Sequence, residues 1–366
     1  MARTKYTRGK DGYFCTKVWD GTYAGRKKHY ITIRSKKSSK DLEEKVADFR
    51  MQVQERRAVR HNDISFIAYA RSWADVYKGQ KQINTRAMYE NVIEKHMTFL
   101  PASLRLQDVD RIHLQKLLNH AAGKPRTQQQ IYMTFRQILL SAVADHLFPA
   151  NVAEEIFRTV ERPRYTPGEK RPLLPHEKTA LFSADLSPMD RAFLFVLYGC
   201  GLRRGEALAL TIFDIKDKQV TVSKAHAFDH GTPVQKPPKS ANGYRTVPIP
   251  ESVFSTIWER VSDVRASGGT YLFCMRDGEP MTASSYAKMW RRILRAMSKA
   301  SDQEITGLTA HVLRHNYCTE LCYQIPRISI KHIAYLLGDT EKMVLEVYNH
   351  IVMEKEDSAG AINAAL

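Results

Sequence analysis

Through most of the chain the apolar residues recur every three to four positions, and in only a few short runs do they alternate. The helical period is clearest in four stretches between residues 58 and 155: DISFIAYARSWADVYK, NTRAMYENVIEKHMTFL, DVDRIHLQKLLNHA and KPRTQQQIYMTFRQILLSAVADH. Each carries one apolar stripe and one polar face, the pattern of helices that share a core. Asp63 and Asn84 stand where helix caps are expected. Upstream, GYFCTKVWDG and TYAGRKKHYITIR are β-rich runs joined at the Asp20-Gly21 turn signal. A helical run follows, SSKDLEEKVADFRMQVQERR, with Ser39 as its expected cap. Downstream, FRTVERPRYTPGEKR mixes prolines, a glycine and charges and reads as a linker. Beyond it HEKTALFSAD, MDRAFLFVLYGC, ESVFSTIWERVSDVRA, ASSYAKMWRRILRAMSK and TAHVLRHNYCTELCYQ predict helices. KQVTVSKA and YRTVPIP predict strands, with a Pro/Gly-rich turn between them.

These periods predict a mostly α, multidomain protein. A small β-sheet-plus-helix module covers 1–57, a four-helix module 58–155, a linker 156–170, and a mainly α domain with a small antiparallel β-sheet 171–366. A length of 366 residues suits two or three domains. No apolar run reaches the 18 residues of a membrane span, and MARTKYTRGKDGYF lacks the apolar stretch of a signal peptide. Five cysteines do not form an even disulfide framework, so a reducing cytoplasm is expected. Cys318 and Cys322, one helical turn apart, read as buried thiols.

Charge changes the picture. The formal net charge is +17 and the pI about 9.6, which points to an extended polyanion, nucleic acid above all. Residues 1–60 hold 17 Lys/Arg against 7 Asp/Glu, so more than half of the excess sits in the first sixth of the chain. A sheet that carries Arg26, Lys27, Lys28 and Arg34 among aromatic residues suits a DNA groove.

Three stretches of the last domain carry candidate chemistry. In GCGLRRGEALAL, 199–210, two glycines make a turn and a helix opens at Arg203 and Arg204. In TAHVLRHNYC, 309–318, helical spacing puts His311 and Arg314 on one face, with His315 one turn from His311. A His-x3-His pair is a zinc option, but the glutamate of the zinc-peptidase motif is absent. The other option is a guanidinium fork and an imidazole that hold a phosphate. The third stretch, AYLLGDTEKMVLEVYNHI, 334–351, places Asp339 after a glycine and Tyr348 nine residues later.

Taken together, GLRRGE, KSANGYRTVPI, HVLRH and LLGD with its distant tyrosine resemble the tyrosine recombinases, the phage integrase family, in order and relative spacing across 199–351. The layout of 1–170 resembles the three-domain integrases of phages and conjugative transposons. The resemblance implies an arm-type DNA-binding domain at 1–57, a core-binding domain at 58–155 and a catalytic domain from 171. It implies that Arg203, Lys239, His311, Arg314 and Tyr348 are catalytic, with Tyr348 the nucleophile and Lys236 a rival to Lys239. Arg204 matches no family catalytic position and reads as a DNA-backbone or surface contact. Glu206 and His315 read as groups that orient the arginines or as structural ones, and Tyr317, Asn349 and His350 as structural. Asp339 departs from the pattern, because the family usually has histidine there, less often tryptophan. A carboxylate at that place repels phosphate unless it turns away or braces Arg314 or His311.

The implied activity is site-specific recombination through a 3′-phosphotyrosyl intermediate that inserts and excises a mobile element. Neither cofactor nor metal is required. The implied partners are double-stranded attachment sites, a homotetramer on DNA, a DNA-bending host factor and an excisionase, in a bacterial cytoplasm. Two other classes share the scaffold: a DNA-binding regulator that does not cut, and a type IB topoisomerase.

Overall fold

The computed structural model describes residues 5–24, 27–57, 62–166, 168, 171–238 and 241–355. They fall into two compact units, Met1–Pro167 and Gly168–Leu366.

The first unit contains two separate hydrophobic cores. In one, strands β1 (Phe14–Ala24) and β2 (Lys27–Ser35) pair antiparallel. Helix α1 (Ser39–Arg57) closes one face through Leu42 and Val46 against Val18. Strand alternation turns the other face outward. It carries the cross-strand pairs Cys15–Arg34, Lys17–Thr32 and Trp19–Tyr30, with the Lys28 ammonium 5.0 Å from the Trp19 ring. Asp20-Gly21 is not the hairpin turn: β1 continues to Ala24, and the register shifts between Trp19 and Tyr23. The turn signal marks a bulge, where one strand gains residues its partner lacks. Ser39 opens α1 from inside the helix, while Ser38 Oγ accepts the Asp41 N–H, so the cap lies one residue earlier.

The second core belongs to helices α2 (Phe66–Lys78), α3 (Ile83–Lys95), α4 (Arg111–His120), α5 (Pro125–Ala144) and α6 (Ala150–Thr159). Phe66, Leu114, Ile131 and Phe135 are fully buried at its centre. The hydrophobic period predicts four helices and a linker from 156, whereas α6 runs to Thr159 and buries Ile156. Its short apolar stripe is masked by the charges beside it. The caps also differ: Ser65, not Asp63, accepts the Ala68 N–H, and Asn84 lies inside α3.

In the second unit, α7 (Pro175–Ser183) is followed by α8 (Pro188–Cys200), whose Phe193, Leu194 and Leu197 have no exposure. Around this apolar axis stand α10 (Glu251–Ala266), α11 (Ala283–Ser301) and α12 (Ala310–Cys322). Between α8 and α10 lie the short helix α9 (Arg204–Leu208) and five strands. Strands β3 (Ile215–Lys216), β4 (Gln219–Val222) and β7 (Arg245–Pro248) form one antiparallel sheet. Strands β5 (Ala225–Asp229) and β6 (Thr232–Lys236) form a separate ribbon inside the region expected to be a plain turn. Helices α13 (Ile330–Leu337) and α14 (Glu341–Lys355) end the described chain. They share a small core with α12 through Cys318, Cys322, Ile333, Leu337 and Val344. Among the described residues no helix is long and apolar enough to cross a membrane.

Candidate active site

The site is assembled from two chain reversals and the inner face of one helix. Helix α8 ends at Gly201, whose positive φ of 59° is cheap only for glycine. A Cβ there would lie 2.4 Å from the Tyr317 ring. The reversal delivers Arg203 to the start of α9, where Glu206 reaches back: its Oε2 accepts the Arg203 N–H at 2.9 Å. Such a backward-reaching glutamate satisfies an otherwise orphaned helix N-terminal amide. Glu206 Oε1 also accepts from Arg203 Nη1 at 3.0 Å.

Arg314 lies on the inner face of α12 and is 4% exposed. Its Nη1 donates to the Gly201 carbonyl at 2.9 Å, and its Nη2 donates to the Leu337 carbonyl. It therefore ties the end of α8 to the end of α13. Burial, and then the charge of Arg203, pull this guanidinium down to about 10, with Arg245 acting in the same direction; the Asp339 hydrogen bond and the Glu206 charge oppose the shift.

Asp339 occupies the turn between α13 and α14. Its Oδ2 accepts from Arg314 Nη2 at 2.7 Å and from Arg203 Nη2 at 3.1 Å. Arg203 Nη2 also donates to the Gly338 carbonyl at 2.9 Å. A single carboxylate oxygen thus sits between two guanidinium groups drawn from distant parts of the chain. The sequence motifs suggest a brace to Arg314 or His311; the contact with Arg203 goes beyond that expectation.

His311, exposed on α12, shares a cleft of about 50 Å³ with Arg314, His315, Asp339, Val344 and Val347. Tyr348 follows on α14. It is half-buried, with its ring packed against the Cys318–Val344 core. Among the described residues no three His, Cys, Asp or Glu side chains are grouped to hold a metal ion.

The remaining candidates lie elsewhere. Lys239 and Arg26 fall outside the described residues. Lys236 ends β6, paired with Ala225, and Lys27 opens β2. Arg34 and Lys28 stand on the outward face of the N-terminal sheet. Arg204 lies over the Phe228 and Tyr286 rings, 5.6 and 5.2 Å from their centroids, so part of its role is cation–π packing.

Sequence reasoning missed two features. Arg245 at the start of β7 has a fully buried side chain, and it grips Glu206 through Nη2 at 2.7 Å and Nη1 at 3.2 Å. Burial alone would raise the Glu206 carboxyl. The Arg245 hydrogen bonds and charge, followed by the Arg203 amide and charge, outweigh it and hold the group below its ordinary range. The other feature is the exposed stripe Lys288, Arg291, Arg292, Arg295 and Lys299 on α11, a helix with no acidic residue. Arg292 pairs with buried Asp190. Counting charges at helical spacing would have found this stripe.

The tyrosine-bearing helix α14 thus packs on α12, which carries one arginine of the two-arginine clamp, in a mainly α unit with a small sheet. Residues 173–355 match the phage integrase family, and the chain belongs to it. It is similar to the tyrosine recombinase XerD of Pseudomonas aeruginosa, 27% identical over 282 residues, which span 73% of this chain and 87% of that one. It is also similar to the transposase of transposon Tn916 from Enterococcus faecalis, 27% identical over 172 residues, 44% of this chain. That match spans only 42% of the transposase. Among solved structures, the Tn1549 transposon integrase in complex with a circular intermediate DNA superposes with a TM-score of 0.63 at 19% identity. The match covers 80% of this chain and all of that one. A lambda integrase tetramer bound to a Holliday junction gives 0.58 at 18% identity, covering 93% of each chain. These two likenesses are of fold.

Proposed function

We propose that this chain is a site-specific DNA recombinase that inserts and excises a mobile element through a 3′-phosphotyrosyl intermediate. The observation that carries the reading is the seat between Arg203 and Arg314, where one anionic oxygen accepts from both guanidinium groups. A scissile phosphodiester offers non-bridging oxygens of the same kind and gains charge as a nucleophile adds. Fixed donors aimed at that charge supply the largest catalytic contribution in many enzymes.

The Tyr348 oxygen forms a bond to phosphorus, and the bond from phosphorus to the 5′-oxygen breaks. The phenolic proton leaves and the departing 5′-oxygen takes one up. Holding a phenol ionised at neutral pH costs roughly 4 kcal/mol, from an ordinary pKa of about 10. His311, which lines the same cleft as Arg314, is assigned to take the phenolic proton as the bond forms. Lys239 is assigned as donor to the 5′-oxygen. A second 5′-hydroxyl reverses the step on a new partner, so bond energy is conserved and no nucleotide or metal enters the balance. Asp339 keeps the seat while DNA is absent and yields it when the phosphate arrives.

DNA meets the chain on two cationic faces: the outer face of the N-terminal sheet, with Lys28 and Arg34, and the α11 stripe. The solved neighbours include a transposon integrase on DNA and a tetramer on a junction. They support a mobile-element role and a homotetramer on paired attachment sites; a bending factor and an excisionase are added as helpers on the family resemblance alone.

The test is a library of nicked duplexes cut from the DNA that flanks the gene. The full chain should become SDS-resistantly linked to a discrete set of them, and the trapped sequences give the attachment site. DNA retention without any covalent adduct would favour the second reading, a non-cutting regulator, for which a carboxylate in the phosphate seat is the motivating observation.

A further inference from the structure

We infer that Arg245 is a positioning residue of this site: it sets the register between the arginine clamp and the turn that leads to the nucleophile helix. The inference rests on the recombinase reading above, and the geometry that motivates it stands apart from that reading.

The guanidinium of Arg245 holds three segments at once. Nη1 and Nη2 grip Glu206, which in turn fixes both the amide and the guanidinium of Arg203. Nε donates to the Leu336 carbonyl at 2.8 Å, in the last turn of α13. Nη1 also donates to the Gly243 carbonyl at 3.1 Å, the backbone that leads into β7. The Asp339 turn rests on the same group: a Cβ at Gly338 would lie 2.8 Å from Arg245 Nη1 and 2.9 Å from the Asn242 carbonyl. Arg203 and Asp339 are therefore each one contact away from a single buried fork.

A stability role alone is a poor account of this arrangement. Replacing a buried ion pair by apolar groups of similar volume is often neutral or stabilising, so a buried fork of this kind is weak evidence for stability. What the fork supplies is direction. Its donors lie in one plane at fixed angles, and they are aimed at a carboxylate and two carbonyls from separate elements. Misplacing a reacting group by about 1 Å costs on the order of 100-fold in rate. Arg245 touches neither the phosphate seat nor the nucleophile, and acts through Glu206 and the Leu336–Gly338 backbone.

Arg245→Met alone leaves the buried Glu206 carboxylate with Arg203 as its one remaining cation, so the informative variant is the double change Arg245→Met with Glu206→Gln. It removes the charge pair, while the introduced glutamine still presents an oxygen to the Arg203 amide. Two measurements on the full chain decide the matter. In the first, hydrogen exchange at residues 203–206 and 336–340 is expected to rise about tenfold or more, with the α8 and α10 amides unchanged. In the second, single-turnover adduct formation on the trapped nicked duplex is expected to fall about 100-fold, while the DNA concentration for half-saturation moves by less than about threefold. Unchanged local exchange overturns the inference. So does a double variant that regains wild-type rate along with wild-type thermal stability, because that is what a purely structural pair predicts. If the wild-type chain forms no adduct, the recombinase reading falls, and the exchange measurement still decides whether Arg245 holds the two segments in register.

Discussion

Asp339 Oδ2 lies 2.7 Å from Arg314 Nη2, and the same oxygen accepts from Arg203. The carboxylate thereby offsets the repulsion of two guanidinium groups that share one pocket. On the proposed reading it also fills the place that the scissile phosphate would take. Both consequences are open to measurement.

Changing Asp339 to His removes the occupying charge and supplies a donor. Adduct formation on a nicked duplex is expected to stay at the wild-type level or to rise. Thermal stability is expected to fall by about 1–3 kcal/mol, because Arg314 is deprived of a charged partner while it stays buried. Complete loss of cleavage in a folded variant would show that the carboxylate has a necessary role of its own.

Tyr348→Phe deletes one oxygen from a half-buried ring and keeps its packing against the Cys318–Val344 core. Retardation of duplex DNA should match the wild type, and no SDS-resistant adduct should form. An adduct that persists moves the nucleophile to another residue.

Glu206 has a folded pKa held below its ordinary 4.5. The unfolded chain therefore binds its proton first as pH falls. The stabilisation is fully present above pH 4.5 and is lost as pH drops through the folded value. Acid titration of the wild type, followed by thermal melts, should show this loss. Glu206→Gln should lack it and should be less stable at neutral pH by about 3–5 kcal/mol, the usual cost of leaving a buried charge unpaired.

The α11 stripe predicts a salt signature. Neutralising Lys288, Arg291 or Arg295 to Gln should weaken DNA binding evenly across sequences. The slope of log affinity against log salt should become shallower by about 1 for each phosphate that the variant no longer neutralises. Affinity that does not change with salt in the wild type would contradict the charge argument itself.

Much of the fold is legible in the sequence, and the limits have physical causes. Helices with a continuous stripe, such as α5 and α10, announce themselves because one face must be buried. The short α6 hides behind charges, and the β5–β6 ribbon hides behind prolines and glycines that are read as loop. The motifs name Arg203, Arg314 and Asp339, but spacing along a chain cannot say that three side chains meet at one oxygen. Arg245 is invisible for the same reason. On paper it is one more cation in a basic strand; its burial comes from Glu206 and Leu336, which lie 39 and 91 positions away.

Gly338 passes so close to the Arg245 guanidinium that even a methyl group has no room there. Hybrid enzymes inherit a rule from this. A chimera that joins strand β7 of one parent to the C-terminal helices of another keeps this fit only if it carries an arginine at 245 and a glycine at 338.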